Sequence, residues 1–353
     1  MIRQTTRFLG AAALIAIFLP TVQSKAQQHV PPAPASASQQ EPSTSEQPGT
    51  SQQTPTTAAP EPSAPAPSGP PKFPPPRPAD FTATSPTKEV VDAFLQANWG
   101  YDENRMWQVQ AILKTPVDGV SKVIVLIGDK TGREKPAVLS FFTLPDGKHI
   151  ITGDSIIAFG AHPFADAREQ LEQRADGPYR GAASKDFEMV EFADFQCPHC
   201  KEAQANMEKL ATDYPKARIV FENFPIPSIH PESMTAAEYG NCVTKLGGST
   251  AFFQYASAVF DGQDGLATPD GTTLTLNSAV TKAGLDPAKV AACAAEPEVK
   301  ANVEASIKLG TDLGINEVPT LMVNGREIQA NAPYDILKKV IDYQIKADGV
   351  AGQ

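Results

Sequence analysis

The chain is short of cysteine, of cationic charge and of long apolar runs, and each shortage narrows what it can be. Four cysteines in 353 residues leave few places for thiol or metal chemistry. Structural zinc needs four ligands, usually two cysteine pairs or one pair plus two regularly spaced histidines. Cys242 and Cys293 stand singly in helical sequence, and His230 is the only histidine besides His199 in the segment around Cys197 and Cys200, so zinc is set aside and no cofactor is expected. Thirty basic residues against forty acidic ones give a formal net charge of −10 with no basic patch to offset it. Such a chain repels phosphate backbones and anionic membrane surfaces, so no nucleic-acid partner is expected. The first apolar run, residues 8–19, is a dozen residues long, short of the roughly 20 that cross a bilayer.

What is present begins with an export pattern. Arg3 and Arg7 flank that run, and Ser24-Lys25-Ala26 offers a small-x-small cleavage site before Gln27, the arrangement of a signal peptide. Residues 1–26 are therefore expected to be removed, with an uncleaved membrane tether as the alternative, and the expected location is the periplasm. From 27 to 80, sixteen of 54 residues are proline and Phe73 is the one aromatic. Ordering such backbone costs roughly 1–2 kcal/mol per residue with almost nothing apolar to bury. Residues 27–81 are thus expected to form a disordered Pro-rich linker with polyproline II character over 70–78, serving as a spacer or as a ligand for a groove.

Folded sequence starts near residue 82. A helix start at 85–89 is followed by Val90, Val91, Phe94, Leu95 and Trp99 at helical spacing. Strand-like segments at 107–113, 120–127, 137–143 and 149–151 are separated by Asp-Gly and Asp-Lys-Thr-Gly turns. Residues 82–162 therefore read as a small α+β domain, and 163–178 as a charged linker helix capped by Gly177. The pattern then changes to strand (187–195), helix (201–214) and strand (217–224), a right-handed crossover. A mostly helical stretch covers 231–313, in which Phe252, Phe253, Tyr255, Ala256 and Phe260 form an aromatic face read as core. Strand 320–323, an Asn324-Gly325 hairpin turn, strand 327–329 and a helix from 333 to about 345 close the chain. The expected class is α/β: residues 179–230 and 314–348 form one domain in two parts, with 231–313 inserted between them.

The chemistry concentrates in Cys197-Pro198-His199-Cys200, which ends a strand and opens a helix. Proline is well tolerated at the first helical position, where its missing N–H would have been unpaired anyway. Cys197 then sits at the N-cap, where free N–H groups and the positive end of the helix favour a thiolate. Cys200, one turn on, lies beneath it and is more shielded. His199 adds a donor or a positive charge beside the Cys197 sulfur. A stabilised thiolate leaves readily and weakens the disulfide relative to the dithiol, so such a pair is an oxidant. Glu191, six residues earlier on the strand, is a candidate to handle a proton beneath the pair, or else an edge glutamate facing water; Asp194 is the weaker candidate, since alternation turns it to the other side. Cys242 and Cys293 are expected to form a structural disulfide across the helical stretch, with two buried free thiols as the alternative.

EFADFQCPHC together with Glu317-Val318-Pro319-Thr320 resembles the DsbA-type thiol:disulfide oxidoreductases of the thioredoxin superfamily over about residues 180–345. The resemblance implies a thioredoxin-like fold with an inserted helical domain, a cis Pro319 against the active disulfide, and Val318 pairing with substrate backbone. It implies substrates that are exported proteins with reduced or misoxidised cysteines, and a membrane redox partner that reoxidises the pair. Residues 82–162 resemble, more loosely, the dimerisation domain of DsbC- and DsbG-type isomerases, which implies a homodimer. Three functions follow: disulfide donation by Cys197–Cys200; isomerase or reductase action by a reduced Cys197; and a tethered binding module without catalysis.

Overall fold

The computed structural model describes residues 69–132, 135–153 and 155–350; the expected signal segment and most of the proline-rich stretch lie outside these. The described end of that stretch is not a free tether. Pro71 and Phe73 fill the space that a side chain at Gly128 would need, the Gln108 amide donates to the Pro74 carbonyl at 2.6 Å, and Phe81 bridges to Ile112. Phe73 has apolar surface to bury, and the missing side chain at Gly128 makes the place for it.

Helix α1, Lys88–Trp99, begins where the Thr87 hydroxyl accepts the Val90 N–H. Val91, Phe94 and Leu95 fall on one helical face and are buried. They pack on an antiparallel meander of β1 (Arg105–Lys114), β2 (Ser121–Asp129), β3 (Ala137–Thr143), β4 (His149–Thr152) and β5 (Ser155–Ala158). Val109, Ile112, Val123, Val125, Phe141 and Ile150 supply the sheet side of that core. Strand β5 is not expected from the sequence because Ser155–Ala158 carries two adjacent isoleucines and no alternation. Helix α2, Ala165–Arg174, ends at Ala175, whose N–H bonds the Leu171 carbonyl. Gly177 is therefore not its cap; the Gly177 N–H donates instead to the buried Glu222 carboxyl at 2.9 Å.

The second sheet has the order β10-β9-β7-β8-β6, made of β6 (Tyr179–Gly181), β7 (Glu188–Ala193), β8 (Arg218–Asn223), β9 (Thr320–Val323) and β10 (Arg326–Gln329). Strands β7 and β8 are parallel and joined by helix α3, Pro198–Asp213, whereas β9 runs antiparallel to β7 and turns at Asn324-Gly325 into β10. Every residue of β7 and β8 is buried, as expected for central strands covered on both faces. Met189, Ile219 and Leu321 face Met207 and Leu210 of α3 and Leu337 and Ile341 of the last helix. Val190, Val220 and Met322 face Leu171 and Leu309 on the other side. The three-residue edge strand β6, antiparallel to β8, also escaped the sequence reading.

Between β8 and β9 runs the helical unit: α4 (Ser233–Asp261), a 3-10 turn (Gln263–Ala267), α5 (Pro269–Lys282), α6 (Pro287–Ala294) and α7 (Pro297–Asp312), with α8 (Tyr334–Asp348) closing the chain. Helix α4 breaks at Gly248, where φ is 75°. Helices α5, α6 and α7 each start on proline, and the Thr268 and Asp286 side chains cap the first two. Phe252, Tyr255 and Phe260 pack around Phe195 in tilted and edge-on arrangements at 5.2–6.2 Å, tying the unit to the loop after β7. Phe253 leaves this cluster's interior and lies under the Arg180 guanidinium at 4.9 Å. The chain thus adopts a thioredoxin-like α/β fold with an inserted helical region, preceded by a small α+β unit.

Arg326 joins the two units. It is 2% exposed, bonds Gln344 at 2.8 Å through Nε, and donates to the carbonyls of Ala97 and Asn98 at the end of α1. The rings of Phe164, Tyr343 and Tyr101 surround it at 4.4, 5.9 and 6.0 Å. A cation over the carbonyl end of a helix satisfies acceptors that have no partner within the helix.

Cys242 and Cys293 are bonded, linking α4 to α6 across 51 residues. A loop of that length implies about 4 kcal/mol of stabilisation in the chain-entropy picture. Replacing both by alanine is expected to lower unfolding stability in urea by roughly 2–4 kcal/mol while leaving the thiol chemistry of Cys197 in place.

Candidate functional site

Strand β7 delivers the chain into a loop, Asp194 to Gln196, that presents Cys197 as the N-cap of α3 with Pro198 in the first turn. Cys197 is 6% exposed and Cys200 fully buried, and both are free thiols. The loop is held from several sides. The Cys197 N–H bonds the Asp194 carbonyl at 3.1 Å. The buried Gln263 amide, from the 3-10 turn of the helical unit, donates to the carbonyls of Phe195 (2.8 Å) and Cys197 (2.9 Å). Gln196 reaches the Leu266 carbonyl at 2.9 Å and accepts the Glu232 N–H at 2.8 Å. The inserted helices therefore brace the loop that carries the sulfur.

The two sulfurs ionise very differently. The Cys197 thiol is brought down to about 6, first by a hydrogen bond from the Cys200 thiol, then by the N–H groups of Cys200 and His199 and the charge of His230, against the opposing effect of burial. These are the amides of a helix start, of which the Cys200 N–H also bonds the Cys197 carbonyl at 3.1 Å. The Cys200 thiol is pushed far up, first by burial and then by its bond to the Cys197 sulfur, with the Glu191 charge adding to the effect. The Asp194 N–H lies 3.4 Å from the Cys200 sulfur, and the Cys197 sulfur lies 3.9 Å from the Val318 carbonyl. The Val318–Pro319 peptide is cis, with Pro319 buried and Val318 half-buried beside the pair.

His199 stands differently from the sequence expectation. Its imidazole is mostly exposed and turned to Glu202, 3.0 Å from Nδ1, because Glu202 lies three residues on, on the same helical face. That contact raises its pKa, with only a smaller contribution from the Cys197 charge. Its backbone N–H is what reaches the sulfur.

Glu191 is 3% exposed, not an edge glutamate. Burial raises its carboxyl to about 7, against a hydrogen bond from Gln204 that favours ionisation. Gln204 Nε2 donates to Glu191 at 2.9 Å and to the Cys200 carbonyl at 3.2 Å, so one amide spans the acid and the buried cysteine. Asp194 is also buried, and its carboxyl accepts from the Gln196 N–H (2.7 Å), the Ile226 N–H (2.8 Å) and His230 Nδ1 (2.9 Å). Gln204, Gln263 and His230 belong to the site although sequence reasoning passed over their roles: none lies in the cysteine motif, and the last two come from other parts of the chain. Among the described residues, no cluster of three or more His, Cys, Asp or Glu is arranged to hold a metal.

Residues 173–343 match the family model described as Thioredoxin. Among curated proteins, the "Na(+)/H(+) antiporter NhaA 3" of Salinispora tropica is 27% identical over 157 residues, which cover 44% of this chain and 22% of the antiporter. The chain thus spans about a fifth of the length of that relative. The "Probable disulfide bond formation protein D" of Bacillus anthracis is 26% identical over 194 residues, covering 53% of this chain and 83% of that protein. The crystal structure of a thioredoxin-like oxidoreductase from Silicibacter pomeroyi is similar at 24% identity and a TM-score of 0.43, covering 51% of this chain and 98% of that one.

The buried acid has a measurable consequence. An acid raised from 4.5 to about 7 in the fold contributes stability that is present below pH 4.5 and lost as pH rises through 7. Glu191→Gln is therefore expected to be more stable than the parent at pH 8 by on the order of 2–3 kcal/mol and to gain little at pH 4.5. Urea denaturation at both pH values checks this, and Glu222, raised in the same way, is common to both proteins and cancels.

Proposed function

We propose that this protein is an exported thiol:disulfide oxidoreductase that donates its Cys197–Cys200 disulfide to reduced proteins of the periplasm. The observation that carries the reading is the inequality of the two sulfurs: the N-cap thiol favours its anion and the buried one its proton. Cys197 keeps a small exposed fraction, 6%, where Cys200 has none, and the stability of the outer thiolate makes the reduced form the favoured product.

In the oxidised enzyme a substrate thiolate attacks the Cys197 sulfur. A new sulfur–sulfur bond joins substrate to Cys197 while the Cys197–Cys200 bond breaks, and the electron pair goes to Cys200, which takes up a proton. Glu191 keeps its carboxyl proton to about pH 7 and lies near enough for its charge to act on the Cys200 thiol, so it serves as the local acid, held in place by Gln204, which also donates to the Cys200 backbone carbonyl. A second substrate thiolate then attacks the substrate sulfur of the mixed disulfide, forming the substrate disulfide and releasing Cys197 as a thiolate. The substrate loses two electrons and the enzyme gains them. A membrane redox partner must then remove them. The Val318 carbonyl beside the sulfur is an acceptor for the backbone N–H of an extended substrate. Among the described residues, no helix is long and apolar enough to cross a membrane.

Two measurements test the reading. The oxidised protein is expected to oxidise a dithiol peptide in one stoichiometric turn, and Cys197→Ser to abolish this; unchanged turnover in the variant would remove the nucleophile. The potential of the 197/200 pair is expected nearer DsbA's value of about −120 mV than thioredoxin's about −270 mV. A strongly reducing value would favour the isomerase or reductase alternative.

A further inference from the structure

We infer that His230, oriented by the buried carboxylate of Asp194, is the positioning residue that supplies a positive charge to the Cys197 sulfur, the task the sequence pattern assigns to His199. This deepens the oxidoreductase reading and rests on it.

The geometry has three parts. First, Asp194 is bound to both cysteines through its own backbone: its carbonyl accepts the Cys197 N–H at 3.1 Å, and its N–H points to the Cys200 sulfur at 3.4 Å. Its side chain is 0% exposed and takes His230 Nδ1 at 2.9 Å. A fully buried carboxylate is tolerable only when hydrogen-bonded, and it has three donors here. Two of these, the N–H groups of Gln196 and Ile226, satisfy it from the backbone, and the third orients the imidazole. Second, the His230 side chain is 15% exposed, buried enough for its charge to act through little water yet open enough to exchange protons. Third, the other histidine is engaged elsewhere, with its Nδ1 on Glu202 and most of its surface in solvent, where charge is heavily screened.

The charged groups on this site come from four places. Asp194 stands on the loop after β7, His199 and Glu202 on the first turns of α3, and Glu191 below on β7 with Gln204 between it and Cys200. His230 alone comes from the segment between β8 and α4. Of these, a positive charge on His230 favours the outer thiolate, whereas Glu191 acts against ionisation of the inner thiol. The arrangement thus separates two tasks: a charge favouring the outer sulfur from above and a carboxyl serving the inner sulfur from below.

The test is the pH profile of alkylation of Cys197 by iodoacetamide in the full-length reduced protein, read by mass spectrometry, beside the redox potential. His230→Gln keeps a donor for Asp194 but removes the charge. It is expected to slow alkylation at pH 6 by roughly fivefold, the effect of a shift of about one unit in the profile, and to make the pair more reducing. His230→Lys should restore much of the reactivity, and His199→Ala should move the profile less than His230→Gln does. An unchanged profile in His230→Gln, or a larger shift in His199→Ala, overturns the inference. Should the His230 variants fail to fold, the parent protein decides: by reciprocity of linked equilibria, the His230 imidazole must titrate lower once Cys197 is oxidised, and identical NMR titrations of His230 in the two redox states reject the coupling. If Cys197 of the parent alkylates like an ordinary thiol, the oxidoreductase reading itself fails. If it is acidic in the parent and insensitive to His230, only this inference falls.

Discussion

The site depends on placing one sulfur at the start of a helix and the other inside it. At the N-cap, the Cys197 sulfur meets the N–H groups of the first helical turn, and one turn later Cys200 is fully enclosed. Neither condition alone separates the two thiols. The helix-start amides alone would leave the inner sulfur an ordinary thiol, and burial alone would raise both sulfurs. Together they make one thiol an acid and its neighbour a proton holder, with a hydrogen bond between them that reinforces the difference.

Holding that arrangement requires a rigid surround, and the fold supplies it from both sides. Strands β7 and β8 are buried along their whole length, so the loop that follows β7 leaves from a fixed point. The inserted helices return to that loop through Gln263, Gln196 and the aromatic rings around Phe195. A helical insertion in this position therefore forms part of the wall around the cysteine pair, and the Cys242–Cys293 bond secures the insertion itself. The small front unit is attached more remotely, by an arginine whose guanidinium ends helix α1 and is enclosed by aromatic rings. That contact fixes where the front sheet stands while leaving the cysteines untouched.

Buried ionisable groups mark where the fold accepts a cost. Glu191 and Glu222 are both raised to about 7 by burial, yet their surroundings differ. Glu222 is satisfied by Ser306 and the Gly177 N–H and ties the chain after α2 to β8 and α7. Glu191 has a single amide partner that also touches Cys200. The same physical shift thus accompanies a structural contact in one place and the neighbourhood of the reacting sulfur in the other, and only the neighbours distinguish them.

Much of this was legible in the chain itself. Helical spacing at Val91, Phe94 and Leu95, the strand-helix-strand rhythm around residues 187–224 and the Asn324-Gly325 turn are local patterns, and local backbone preference determines them. So is the position of Cys197 at a helix start, because Pro198 favours the first turn and the strand before it is continuous. The edge strands β5 and β6 were not legible, since Ser155–Ala158 has adjacent isoleucines and no alternation and Tyr179–Gly181 holds one apolar side chain and ends on glycine. Nor were the docking of Pro71 and Phe73 on Gly128 and the orientation of His199 toward Glu202 rather than the sulfur. Above all, the sequence offers no sign that His230 and Gln263, 33 and 66 residues beyond Cys197, stand beside it. The chain alone determined which sulfur meets the helix start; the tertiary structure decided which distant groups surround it, because such encounters follow from how sheets and helices pack and not from any spacing along the backbone.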